Sequence, residues 1–339
     1  MSTPIELDTL PRVAIRSAVS KPDFDTLVAA ERPLVLKGAI EHWPALAAGR
    51  ASLGRLNTYI RSMDVGALVP VMEAPASSRG RYCYTADLRE FSFSKRLAGI
   101  TATLEQIERL IGEPNAPYLA IQMLPLATDL PEFVRENPST LLPPQVMPRL
   151  WIGGALRTQT HNDRDHNLAC VIAGRRRFVL FPPEQVSNLY VGPLDHPPPL
   201  SLVDPEAPDF ERYPRFRRAL DAASIAYLEP GDAIFIPKHW WHHVASLDPY
   251  NAMVNYWWGD TAVGLERAHD CFLTALLALK DLPAGERAYW KAMFETYVFR
   301  ADDDPIAHIP ASLQGALGEM SPTLRARLKH QLRMAYLKA

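Results

Sequence analysis

Gly231-Asp232-Ala233-Ile234-Phe235-Ile236-Pro237-Lys238-His239-Trp240-Trp241-His242-His243 is the stretch whose reading decides the fold. A glycine turn opens it, four apolar residues follow as a short buried strand, and Pro237 stops that strand. Histidines and tryptophans come next, so side chains able to do chemistry stand at a strand end. On a strand His242 and His243 point to opposite faces, so at most one of them reaches a given site.

The same texture extends on both sides, from Pro117 to Trp258. Short apolar runs at 118–124, 168–173, 177–181, 233–236 and 252–257 alternate with Gly, Pro and Asp turns. Regularly spaced short strands of this kind predict an antiparallel sandwich or barrel. The proline-rich stretch 192–208 is expected as a surface loop over one end of it, bordering the cleft. Upstream, residues 1–60 read as strand and helix around an apolar strand at 33–37, closed by Gly38 and followed by a Trp43-Pro44 stop. Residues 103–112 have the spacing of a short helix with a glycine just past its end. Beyond Asp260, apolar residues recur at helical spacing in 263–280, 286–299, 312–317 and 323–338. The last segment lines Leu324, Leu328, Leu332 and Ala335 along one face and carries five Lys or Arg with no acid. The expected organisation is a mainly β domain over 1–260 and a helical region over 261–339.

A second block of chemistry precedes the first. In His161-Asn162-Asp163 a strand would turn positions 161 and 163 to one face, an imidazole beside a carboxylate. Alone this is a weak signal, because a His near an Asp is more often a hydrogen-bonded pair. Joined to a histidine on a second strand it becomes a two-His, one-carboxylate set, which leaves metal positions open for a chelating cosubstrate and oxygen. Asp165 and His166 offer a rival pair, since Asp165 would share the face of Asp163 on a regular strand. Trp240 and Trp241 are expected as core aromatics, and His42, His196, His269, His308 and His330 as structural or exposed.

Composition sets limits. The 339 residues are 47% hydrophobic and 22% charged, ordinary for a globular enzyme, and the net charge of −2 gives no electrostatic case for nucleic acid. No apolar run reaches the roughly 18 residues of a membrane span. Residues 1–10 lack the apolar core of a secretory signal. Cys83, Cys170 and Cys271 fit neither a disulfide framework nor a zinc spacing, and the expectation is free thiols in a reducing cytoplasm.

Together these blocks resemble the JmjC/cupin-like Fe(II)- and 2-oxoglutarate-dependent oxygenases, and within that family its asparaginyl hydroxylase branch. The resemblance runs from Pro33 to Trp258 and is most specific at 158–183 and 231–257. The family's Thr, two residues, His-x-Asp, three residues and Asn are met by Thr158, His161, Asp163 and Asn167. Its Gly-x-Lys before a strand ending in Phe-Pro-Pro is met by Gly174-Arg175-Arg176 and Phe181-Pro182-Pro183. Its Ile-Pro-x-x-Trp-Trp-His-His is met by Ile236 to His243, with the first histidine of the pair, His242, as the family ligand. Its Asn-Phe-Trp strand end is Asn255-Tyr256-Trp257, and its Tyr-Leu strand is Tyr118-Leu119.

The resemblance implies a double-stranded β-helix (jelly roll, cupin-like) with N-terminal α/β decoration and a C-terminal helical region that pairs two subunits. It implies Fe(II) held by His161, Asp163 and His242, the catalytic set, with 2-oxoglutarate and O2 as cosubstrates. Tyr118, Thr158 and Arg176 would bind the oxo acid, and Asn167 and Asn255 would lie near the iron ligands. The implied reaction is hydroxylation of a C–H bond on a protein or peptide side chain, with a small molecule as the other substrate class. One departure stands out: the family's carboxylate-gripping lysine is Arg176, which keeps the charge and offers a planar bidentate contact. The rivals are a non-catalytic cupin-like metal-binding protein and a cupin enzyme that does not use 2-oxoglutarate.

Overall fold

The computed structural model describes residues 6–195, 197–259, 267–300 and 304–337. The chain divides into two compact units, Met1–Asp260 and Thr261–Ala339.

Among the described residues fourteen strands build the first unit: β1 (Ala14–Ser17), β2 (Leu34–Lys37), β3 (Leu68–Ala74), β4 (Arg81–Tyr82), β5 (Ser94–Gly99), β6 (Tyr118–Pro125) and β7 (Pro148–Gly153). They continue as β8 (Arg157–Asn162), β9 (His166–Ala173), β10 (Arg176–Phe181), β11 (Ser224–Leu228), β12 (Ala233–Ile236), β13 (Trp241–Ser246) and β14 (Asn251–Trp258). They form a nine-stranded sheet in the order β1-β2-β12-β9-β14-β7-β6-β3-β5 and a five-stranded sheet in the order β11-β10-β13-β8-β4. From β7 to β14 the chain passes between the two sheets, giving the jelly roll, with no closure into a barrel.

Side-chain alternation makes the layers. On β9, Leu168, Cys170 and Ile172 point outward to a core shared with Leu46, Leu56, Ile60, Leu104 and Ile107. Those five lie on α2 (Pro44–Ala51), α3 (Leu53–Arg61) and α4 (Ile100–Leu110), which follow α1 (Lys21–Ala29) in the chain. Ala169 and Val171 point the other way, against Phe178, Leu180 and Val244 of the five-stranded sheet. Val179, Phe181, Ile225 and Trp241 form a third layer on that sheet's outer face with Val203, Phe216 and Leu189. Each such side chain contributes on the order of 1.5–3 kcal/mol on burial, so the two-faced pattern holds both sheets in register.

The outer layer corrects one expectation. Stretch 192–208 does not border the cleft; it lies across the outer face of the five-stranded sheet, where Val203 is buried. Gln159 pins it by donating to the carbonyls of Ser201 (3.0 Å) and Val203 (2.8 Å). His196, within that stretch, lies outside the described residues.

The quoted stretch folds as its chemistry dictates. Asp232, buried at the turn before β12, pairs with Lys37 of β2 at 2.6 Å and accepts the backbone N–H of Glu229. Gly174 turns β9 into β10 with a φ of +69, in the left-handed region. A Cβ there would stand 2.4 Å from the Tyr250 carbonyl oxygen, so only glycine fits.

In the second unit the described helices are Ala268–Leu279, Ala284–Met293 and Pro322–Tyr336, with π-helical turns at Phe294–Phe299 and 3-10 turns at Ala311–Leu313 and Gly315–Leu317. Expected positions 263–266 and 338 lie outside the described residues. Ile306 is the one fully buried hydrophobic residue described there, while Leu277 and Phe299 are strongly exposed. No described helix is long and apolar enough to cross a membrane.

Candidate metal centre

His161 closes β8 one residue from its end, Asp163 stands just past that end, and His242 is the second residue of β13. Pairing of β8 with β13 sets His161 directly opposite His242. Their ring centroids are 4.4 Å apart, and His242 Nε2 lies 3.7 Å from Asp163 Oδ2. One ligand atom from each of the three residues falls within 4.8 Å of the others, close enough to share one cation.

Both imidazoles are held in one tautomer. His161 Nδ1 lies 2.9 Å from the Gln159 carbonyl oxygen, and His242 Nδ1 lies 3.0 Å from that of Trp240. A carbonyl only accepts, so each Nδ1 carries a hydrogen and Nε2 is the nitrogen left to face a metal. Burial, with His161 beside it, pushes the His242 pKa down to about 4, so its ring is neutral. Two imidazoles and a carboxylate form the donor set for a divalent transition metal with open positions.

The carboxylate is pinned from behind. Asp163 Oδ2 accepts from Asn167 Nδ2 at 3.1 Å and from Trp257 Nε1 at 3.0 Å. Asn255 Nδ2 reaches Asn167 Oδ1 at 3.4 Å, and Asn255 Oδ1 accepts from Trp151 Nε1 at 2.7 Å. Such outer partners fix ligand orientation in metal sites.

The three residues open into a hollow of about 650 Å³ between the sheets, solvent-facing part included. Thr158, Asn167, Arg176, Ser246 and Asn255 give it polar walls; Phe178, Val244 and Met253 give it apolar ones. Arg176 is 7% exposed, and among the described residues nothing pairs with its guanidinium. Burial pushes its pKa down to about 10. A buried cation facing a cavity without a counter-ion is costly, and it makes the cavity selective for an anion. The neighbouring arginines face elsewhere: Arg175 holds Asp248 at 2.8 Å, and Arg177 holds Glu206.

Seven of the eight expected residues therefore meet at one cavity. Tyr118 is not among the residues that line it: it packs against Ala120 and Leu156, which do, and borders a neighbouring hollow with Ile107, Leu110 and Pro249. The rival pair is also set apart. His166 turns to the helix side of its sheet against Phe235 and Trp258, and its Nδ1 accepts from the Lys238 N–H at 3.2 Å. Trp241 is buried in the outer layer and Trp240 half-buried against the inner one, both as core aromatics. His243 points away from the cavity and is buried. Trp151 and Ser246 escaped the sequence reading; both sit on strands whose alternation turns them inward, but nothing local marks them.

Residues 21–262 match the family described as "Cupin-like domain". Human HSPB1-associated protein 1 is 35% identical over 147 residues, 41% of this chain and 30% of that protein. The Arabidopsis thaliana lysine-specific demethylase JMJ31 is 40% identical over 114 residues, 32% of this chain and 20% of that protein. The match thus spans less than a third of either relative's length. The human bifunctional peptidase and (3S)-lysyl hydroxylase JMJD7 is 26% identical over 262 residues, 68% of this chain and 78% of that protein. The chain belongs to the cupin-like domain family.

Proposed function

We propose that this cupin-like domain protein is an Fe(II)- and 2-oxoglutarate-dependent oxygenase that hydroxylates a C–H bond on a protein or peptide side chain. The observation that carries the proposal is the pairing of a two-His, one-carboxylate set with an unpaired buried arginine in one cavity. His161, Asp163 and His242 would hold the iron as catalytic residues. When bound, iron supplies oxygen activation coupled to oxidative decarboxylation of 2-oxoglutarate to succinate.

This chain's residues do the rest. Arg176 would take the distal carboxylate of the oxo acid as a bidentate pair, with the Thr158 and Ser246 hydroxyls available beside it. The apolar walls at Phe178, Val244 and Met253 keep bulk water from the reacting end. The Nδ1 bonds hold both imidazoles as acceptors through turnover. Relatives named as a lysine-specific demethylase and a (3S)-lysyl hydroxylase support a protein side chain as substrate. The three free cysteines support a reducing, cytoplasmic setting, and the exposed apolar residues of the C-terminal helices, such as Leu332 and Leu277, support a homodimer.

The test is an anaerobic titration of the purified chain with Fe(II) and then 2-oxoglutarate, following the visible charge-transfer band. Its appearance, and its loss in Arg176→Ala, is the expected result. Iron binding without a band at any 2-oxoglutarate concentration would sink the oxo-acid assignment and leave a cupin protein of another chemistry.

A further inference from the structure

We propose that Trp151 is a positioning residue that sets the Asp163 carboxylate through a one-way relay of two asparagine amides. The idea rests on the metal-binding reading above. It begins from a property of indole: its N–H donates and never accepts. Trp151 Nε1 lies 2.7 Å from Asn255 Oδ1, so that amide must present its oxygen to the ring. Asn255 is then left with Nδ2 facing Asn167 Oδ1, at 3.4 Å. Asn167 in turn has only Nδ2 to offer Asp163 Oδ2, at 3.1 Å.

One end of the chain is donor-only and the other, a carboxylate, is acceptor-only. Both amides are therefore oriented in a single sense. Both are buried, Asn167 at 6% exposed and Asn255 at 1%. Trp257 adds an independent donor to the same Asp163 oxygen at 3.0 Å, and it stacks edge-on against Trp151 with centroids 6.0 Å apart. Two donors on one oxygen stop rotation of the carboxylate, and Oδ1 accepts from no described residue.

Removing the indole N–H has a consequence that travels. Asn255 becomes free to flip, and a flipped Asn255 sets oxygen against Asn167 Oδ1. If Asn167 flips to relieve that, its oxygen faces the Asp163 carboxylate, which is repulsive. Phe at 151 keeps the ring and its stack but lacks the donor.

The experiment compares the unaltered chain with Trp151→Phe, Asn255→Leu and the double variant. In metal-free protein, the Asn167 and Asn255 side-chain amide signals are followed by nuclear magnetic resonance. In parallel, Mn(II) is titrated as the metal probe. Trp151→Phe is expected to shift or double the Asn167 amide signal and to weaken Mn(II) binding by about tenfold, the lower end for loss of an outer partner. Asn255→Leu should cause the same loss, and the double variant no more than either single one, as members of one relay behave. An unshifted Asn167 amide with Mn(II) affinity within about twofold of wild type would overturn the relay. Additive losses would overturn it too, since a purely structural role has no reason to saturate. Should the wild type bind no Mn(II) at all, the metal reading fails while the metal-free amide signals still decide the relay.

Discussion

Thr158 and His161 stand three residues apart on one strand, yet both face the same cavity. Regular alternation would send them to opposite faces. The register of β8 against β13 explains the exception: His242 opposes His161 and Val244 opposes Thr158, so three steps on β8 match two on β13. That is a β-bulge, with Gln159 and Thr160 together opposite His243. The bulge releases Gln159 to the outer face, where its side chain anchors the 192–208 stretch. One extra residue thus serves both sides of the sheet.

Removing the metal donors has a direct outcome. His161→Ala and Asp163→Ala each leave two of three donors, and either is expected to abolish iron-dependent 2-oxoglutarate turnover to background. Succinate release checks it. Retained turnover in either variant would refute the ligand set.

Arg176→Met separates stability from binding. Arg176 is buried and its guanidinium has no partner among the described residues, so an apolar side chain of similar length should raise the unfolding free energy of the ligand-free protein by roughly 1–3 kcal/mol. The same variant should bind 2-oxoglutarate at least about 100-fold more weakly. Chemical denaturation and the visible titration measure the two effects; a destabilised variant would show that the arginine has a partner in solution.

Much of this was legible in the chain and some was not, for physical reasons. Strands β9, β10, β12 and β14 announce themselves because they are largely buried on both faces and read as continuous apolar runs, and β6 carries a similar run despite its exposed Met123. Edge strand β5 does not: Ser94, Lys95, Arg96 and Leu97 are exposed, so it carries no apolar pattern. His242 over His243 and Arg176 over its neighbours follow from the family pattern, and the strand faces agree with it. The expected spacing of His161 and Asp163 along one strand is not how they meet, since β8 stops at Asn162 and Asp163 swings in from the turn. Tyr118 was carried by resemblance alone; the start of β6 holds it beside Gly80 and against Ala120 and Leu156, one layer behind the cavity lining.

Gly174→Ala tests the β9–β10 turn. With φ at +69 and a Cβ 2.4 Å from a backbone oxygen, the substitution should cost more than about 2 kcal/mol of stability. Urea unfolding reads it. A cost below about 0.5 kcal/mol would mean that the turn rearranges freely.

His166 predicts a pH dependence. Burial first, and Lys238 beside it, lower its pKa below the ordinary 6.5, so the unfolded chain takes up a proton there more readily than the folded one. This contribution to stability is complete above about pH 6.5 and is lost as pH falls through the lower folded value. His166→Gln should flatten the stability profile below about pH 6.5 relative to wild type. An unchanged slope would exclude this ring as its source.

The lone charge of Arg176 also bears on how the protein behaves outside any reaction. A cavity that holds an uncompensated cation behaves as a weak ion exchanger with a single seat. Small dicarboxylates from the host cell, or citrate from a laboratory buffer, compete for that seat, and each adds stability according to its own affinity. The melting temperature of a freshly purified sample therefore records which anion it last met. Dialysis against chloride should lower that temperature before any cosubstrate is added.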